Sequence, residues 1–214
     1  MGKGRIGRKG RKGTPMLKIG LTGGIATGKS YVLKRLRGHG VPCLDADVLA
    51  HGVTAAGTEA TDAIAARFGV EVLDATGAVD RRQLGPIVFA DAAARRDLEA
   101  IVHPAVYRAI IAGLRAFELL ESPPFAVVDV PLLFETRHES SFDHVVATIC
   151  SPETQLARLK ERGMGELEAR QRLDAQMPAA EKARRAGTVI RTDGTFAETD
   201  RQIAALIQSL NARV

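Results

Sequence analysis

The sequence predicts an α/β fold in which helices cover both faces of a five-stranded parallel sheet. Short apolar runs at 17–22, 41–45, 125–130, 144–149 and 188–190 alternate with helical stretches, as buried parallel strands do. Residues 46–122, between the second and third runs, hold far more helix than one crossover needs, so an inserted helical subdomain is expected beside the carboxyl ends of the strands. The first run leads straight into a glycine-rich turn and then a helical pattern.

That first run, Leu17-Lys18-Ile19-Gly20-Leu21-Thr22, precedes Gly23-Gly24-Ile25-Ala26-Thr27-Gly28-Lys29-Ser30, which spells G-x-x-x-x-G-K-S in a strand, loop, helix setting. Glycines let successive backbone N–H groups turn toward an anion, and the helix that follows adds its positive end. Lys29 is placed to reach the outer phosphates of a nucleoside triphosphate, and the Ser30 hydroxyl to hold Mg²⁺. The second run closes on Asp45-Ala46-Asp47; residues two apart on extended backbone share a side, so one or both carboxylates are expected to face the loop. Each is either a general base for an attacking hydroxyl or the N-cap of the next helix.

Within the insertion, helices are expected at Thr58–Phe68, stopped by Gly69, at Asp91–Val102 and at Pro104–Leu120, with His103-Pro104 as the boundary and His103 packing between the two helices. Asp74-Ala75-Thr76-Gly77 has the D-x-x-G spacing of nucleotide switches, but no N-K-x-D follows it, and it reads as a turn. The third run, Ala126-Val127-Val128, ends in Asp129, a position suited either to holding a metal or to a buried carboxylate bonded to backbone N–H groups. After the fourth run, Ser151-Pro152 is an N-cap followed by proline at the first helical position. Residues 158–185 are helical with spare positive charge. They read either as a lid whose Arg158 and Arg162 neutralise a phosphoryl group or as solvated helices laced with ion pairs. Thr195-Phe196-Ala197-Glu198 is a capping box that opens the last helix.

Composition narrows the class. At 214 residues and 45% hydrophobic content, one domain with an inserted subdomain fits. Lys3, Arg5, Arg8, Lys9, Arg11 and Lys12 supply six positive charges to a Gly-rich tail over residues 1–15 that is expected to be disordered; without them the formal charge drops from +5 to −1. The tail has no aromatic residue to stack on bases, so no specific nucleic-acid partner is expected, and no run of 18 apolar residues suggests a membrane span. The expected location is cytoplasmic. Cys43 and Cys150 have no C-x-x-C partner or nearby His pair and read as small core residues at strand ends.

The chain from about Leu17 to its C-terminus resembles the dephospho-CoA kinase family, a group of P-loop kinases. Leu21-Thr22-Gly23-Gly24-Ile25, Asp45-Ala46-Asp47, Val102-His103-Pro104, Asp129-Val130-Pro131-Leu132-Leu133-Phe134-Glu135 and Ser151-Pro152-Glu153-Thr154-Gln155-Leu156, with Arg158 and Arg162, carry the resemblance. It implies a three-layer P-loop NTPase core on residues 16–214, with a helical CoA subdomain at about 48–122 and a lid at about 158–185. The implied reaction is ATP-dependent phosphorylation of the ribose 3′-hydroxyl of dephospho-CoA, the last step of coenzyme A synthesis, with Mg²⁺, in a monomer or weak homo-oligomer. By position, Asp47 would be the base, and Lys29 and Arg158 would stabilise the transferred phosphoryl. Gly24, Ile25, Ala26, Thr27, Gly28, Lys29, Ser30 and Tyr31 would hold ATP, and Ser30 and Asp129 the metal. His103, Leu132, Leu133, Phe134, Glu135 and Arg162 would join Asp47 in binding the acceptor. Three positions depart from the family pattern: Ala26-Thr27 replace glycine and a small residue, Tyr31 replaces threonine, and Thr192-Asp193-Gly194 stands where an asparagine turn is usual. The methyl group of Ala26 asks for an ordinary backbone conformation there.

Overall fold

A computed structural model describes residues 15–213, so the basic segment expected to be disordered lies, apart from Pro15, outside the described residues. Five strands form one sheet: β1 (Leu17–Gly23), β2 (Cys43–Asp45), β3 (Phe125–Asp129), β4 (His144–Ile149) and β5 (Thr188–Arg191). Their order is β2-β3-β1-β4-β5 and every pairing is parallel. All five runs expected to be strands are strands.

Alternation along β3 shows why the sheet is covered twice. Phe125 and Val127 join Ile19, Leu21, Val146 and Ile190 under α1 (Lys29–Gly38) and α9 (Phe196–Asn211), which contribute Val32, Leu33, Leu36, Ile203, Leu206 and Leu210. Ala126 and Val128 point the other way, into a second core with Val145, Leu133 and Phe134. Both faces need apolar partners, so the strand is a continuous apolar run. Burying each large aliphatic side chain contributes about 1.5–3 kcal/mol.

The segment between β2 and β3 forms α2 (Ala46–Val53), α3 (Glu59–Phe68), α4 (Arg81–Ala90) and α5 (Ala92–Leu120). The helix expected at Thr58–Phe68 starts one residue later, with Thr58 as its cap, and Gly69 ends it at φ 93°, as expected. Ile64, Val72 and Leu84 give this subdomain a small core of its own, while Val106, Ile110 and Leu114 of α5 pack onto the sheet. The expected break at His103-Pro104 is absent: α5 runs through as one helix of 29 residues with Pro104 inside. Proline deletes one backbone hydrogen bond and clashes with the preceding turn, at about 3 kcal/mol, and the apolar residues on both sides of it offset that cost. By length and composition α5 would pass as a membrane-crossing helix, yet it carries Arg95, Arg96, Asp97, Glu99, Arg108 and Arg115, and its buried residues face this protein's own core.

After β4, Ser151 caps α6 (Pro152–Glu161), accepting the Thr154 N–H at 3.2 Å. The charged stretch continues as α7 (Glu166–Asp174) and α8 (Ala179–Arg185). Ion pairs of Glu166 with Lys160 and Arg170, and of Glu168 with Arg172, lie on the exposed side of these helices. Thr195 and Glu198 make the expected capping box at the start of α9. Cys150 is buried just beyond β4, and Cys43, half-buried at the start of β2, has its thiol pushed up to about 11 mainly by burial.

Candidate active site

Sheet register brings the chemistry to one edge. Asp129 at the end of β3 lies beside Leu21 of β1 on one side and Asp45 of β2 on the other, and Gly23 of β1 lies beside Thr148 of β4. The turn that follows β1 therefore curls over the carboxyl ends of the strands. Gly28 sits at φ 80°, open to a glycine at no steric cost, and starts α1 without a side-chain cap. No acidic residue occupies the first turn of α1, so its N–H groups and positive end face the loop uncompensated.

Buried hydroxyls hold that loop in shape. Thr27 Oγ1 donates to Gly24 O at 2.8 Å and lies 2.9 Å from Thr148 Oγ1; Thr192 Oγ1 donates to Thr27 O at 2.9 Å; and Thr22 Oγ1 donates to Pro131 O at 3.0 Å. A Cβ on Gly23 would come within 2.1 Å of Thr148 Oγ1, so only glycine fits there. Ala26 does not adopt the ordinary conformation its methyl group asks for. It sits at φ 60°, held there by Arg158 Nη1 on its carbonyl at 3.0 Å and by packing against Leu159 and Ala169.

Lys29 forms an ion pair with Asp129, which is only 4% exposed. Burial raises the Asp129 pKa above the usual carboxylate range; Lys29 pulls it down, and the carboxylates of Asp45 and Asp47 push it up. Ser30 stands exposed at the first turn of α1. Asp45 resolves as the N-cap of α2, accepting the N–H groups of Asp47 at 2.9 Å and Val48 at 3.2 Å. The strand ends at Asp45, so Asp47 reaches the site from the first helical turn rather than from extended backbone. Asp47 is exposed and lines a cleft of about 370 Å³ with His103, Tyr107, Leu132, Thr136 and Gln176.

The other expected acceptor residues divide. Leu132 and His103 line this cleft, and burial, the largest influence on His103, lowers its pKa. Leu133 and Phe134 are buried beneath the cleft in the core rather than lining it, because their side chains fill the space between β3 and α5. Glu135 turns to α8, where it pairs with Lys182 at 2.8 Å. Arg162 ends α6 on the opposite side, where a cavity of about 430 Å³ is lined by Gly28, Tyr31, Arg158, Arg162, Thr192 and Phe196. Tyr31 lies 4.7 Å from Phe196 between ring centres and donates to Asp200 Oδ1 at 2.9 Å. Arg158, expected on the phosphoryl group, lines this cavity and donates to Ala26 O, to Thr192 Oγ1 at 3.1 Å and to Thr192 O at 2.5 Å, bracing the loop against the turn after β5.

Sequence reasoning missed the loop-bracing Thr22, Thr148 and Thr192, the paired glutamines on Ile25, and the ring cluster in which His138 stacks on Tyr107 at 3.9 Å with His103 edge-on at 6.3 Å. Gln176 Oε1 accepts the Ile25 N–H at 2.8 Å and Gln155 Nε2 donates to Ile25 O at 2.6 Å. Only the threonines left a signal, since a hydroxyl at the end of an otherwise apolar strand needs a partner.

A phosphate-cradling loop on a parallel sheet, with a lysine, a serine and carboxylates at its mouth and separate cavities on either side, defines a P-loop phosphotransferase acting on a small molecule. A profile of dephospho-CoA kinase matches residues 17–198. The chain is 48% identical over 192 residues to the dephospho-CoA kinase of Geobacter metallireducens, covering 89% of this chain and 95% of that one. It is 44% identical to the enzyme of the same name from Geobacillus kaustophilus, covering 92% and 98%. The crystal structure of TT1252 from Thermus thermophilus superposes with a TM-score of 0.77 at 33% identity, covering 92% of this chain and 99% of that one. Dephospho-CoA kinase from Campylobacter jejuni superposes with a TM-score of 0.70 at 25% identity, covering 91% and 97%. The chain belongs to the dephospho-CoA kinase family, and its reaction is the phosphorylation of dephospho-CoA to CoA, the last step of CoA synthesis.

Proposed function

We propose that ATP binds with its phosphates in the Gly24–Tyr31 loop and its nucleoside toward the cavity of Tyr31, Arg162 and Phe196, while dephospho-CoA enters the cleft of Asp47, His103 and Leu132. The observation that carries this reading is that Lys29 pairs with Asp129 at the mouth of the loop, beside Asp45, while Asp47 close by lines the acceptor cleft. Asp47 accepts the proton of the ribose 3′-hydroxyl as its oxygen bonds to the γ-phosphorus; the bond to the β,γ-bridging oxygen breaks and ADP leaves. Lys29, released in part from Asp129, follows the charge that builds on the transferring group.

Mg²⁺ fits this donor set: the exposed Ser30 hydroxyl and the Asp129 carboxylate are hard oxygen ligands, and two more carboxylates stand close enough to act on Asp129. Among the described residues no group of three or more His, Cys, Asp or Glu could hold a metal unaided, which suits an ion bound largely through phosphate oxygens and water. Ser30 and Asp129 would hold it, and it would neutralise phosphate charge. The His103 ring, whose pKa burial lowers, and the apolar wall of Val102, Val106 and Leu132 orient the acceptor and keep water out. The enzyme acts in the cytoplasm on small molecules, with no specific nucleic-acid partner and no membrane partner, as a monomer or weak homo-oligomer. Incubation with Mg²⁺, ATP and dephospho-CoA is expected to yield CoA and ADP in equal amounts; folded protein that yields neither overturns the reading.

A further inference from the structure

Lys182 of α8 is fully buried, with Nζ 3.1 Å from Pro131 O and 2.8 Å from Glu135 Oε1. A buried ion pair adds little stability over apolar residues of the same volume, so its contribution is sought in what it holds in place. Glu135 Oε1 also accepts the N–H of Met177 at 3.2 Å, and the other carboxylate oxygen, Oε2, is buried with no partner. The residue before Met177 is Gln176, whose side chain accepts the Ile25 N–H of the phosphate loop and also lines the acceptor cleft. One carboxylate thus ties together the wall after β3, the segment between α7 and α8, and the loop that cradles phosphate.

We propose that the Lys182–Glu135 pair is a positioning device for phosphoryl transfer, setting Gln176 on Ile25 so that the donor loop and the acceptor wall keep one fixed spacing. The inference rests on the reading of the two cavities given above. Neither residue of the pair touches reacting atoms; both act through Gln176.

The test uses Glu135→Gln, which keeps an oxygen for the Met177 N–H and removes the charge facing Lys182, with Gln176→Ala and Lys182→Met. Amide hydrogen exchange at Ile25, followed by NMR in the ligand-free protein, is expected to quicken by about tenfold in both Glu135→Gln and Gln176→Ala. An unchanged Ile25 rate in Glu135→Gln overturns the proposal, whatever the activity. In the kinase assay, kcat of Glu135→Gln and Lys182→Met is expected to fall by about tenfold while each KM moves by less than about threefold. Adding Gln176→Ala is expected to lower kcat no further than the larger single loss. Losses that multiply, or a lower Tm with kcat intact well below it, show a pair that merely holds the fold together and overturn the proposal. If Lys182→Met does not fold, Glu135→Gln and Gln176→Ala decide. The exchange measurement needs no substrate, so a failed activity reading is told apart from a failed positioning device.

Discussion

Replacing Arg158 by methionine separates a phosphoryl-binding arginine from a brace. The half-buried guanidinium bonds to Ala26 O, Thr192 Oγ1 and Thr192 O, and both acceptor residues are buried, so water can take over only part of what is lost. Bonds from a charged donor are each worth about 1.5–3 kcal/mol, and partial solvent access together with the retained methionine packing brings the total to about 2 kcal/mol. For a chain of this length that lowers Tm by about 4–8 °C. Ala26 loses the clamp that keeps it at φ 60°, so the KM for ATP is expected to rise more than kcat falls. Thermal melts with and without ATP, set beside steady-state kinetics, measure both effects. An unchanged Tm with kcat lowered by about 10³ would refute the brace and return Arg158 to the transferring phosphoryl.

Lys29→Ala is expected to lower kcat by about 10³ with little change in the KM for dephospho-CoA, because its strongest partner is charge in the transition state; turnover near that of the parent would remove the assignment. Asp47→Asn is expected to slow the reaction by roughly 10²–10⁴, measured as CoA formed per enzyme, and an unchanged rate would leave Asp47 as a binding residue. Ala26→Gly relieves about 1–2 kcal/mol of left-handed strain but forfeits a buried methyl worth about 0.8 kcal/mol and about 0.4–1 kcal/mol of chain entropy, so urea unfolding is expected to change by less than about 1 kcal/mol. Glu166, held down to about 2 chiefly by its hydrogen bonds to Lys160 and Arg170, has a folded pKa below its unfolded one. Its support for α7 is therefore present above the ordinary carboxylate value and fades as pH falls toward 2; a carboxyl NMR titration midpoint near 4 would contradict the pairing.

The phosphate loop and the five strands were legible because each is a local pattern: apolar runs fix the strands, and G-x-x-x-x-G-K-S fixes the turn. Roles that depend on what another element supplies were not. Asp45 and Asp47 look alike in sequence, and only the end of β2 makes one a cap and leaves the other exposed in the cleft. Pro104 reads as a helix boundary by its chemistry, yet packing on both sides of it carries α5 through. Arg158 carries the same charge whether it meets a phosphate or two carbonyls; its distances to Ala26 and Thr192 are tertiary facts. Gln176, 151 residues from Ile25, had no local signature at all.

The strand order also shapes how the chain is made. Among the described residues β1 pairs with β3 and β4, so the segment bearing the phosphate loop gains its sheet partners as residues 125–149 are synthesised. The helices between β2 and β3 build their own small cluster from near neighbours in the meantime. The cleft of Asp47 draws on Leu132, Thr136 and Gln176 as well, so it too is completed only after the later segments have left the ribosome.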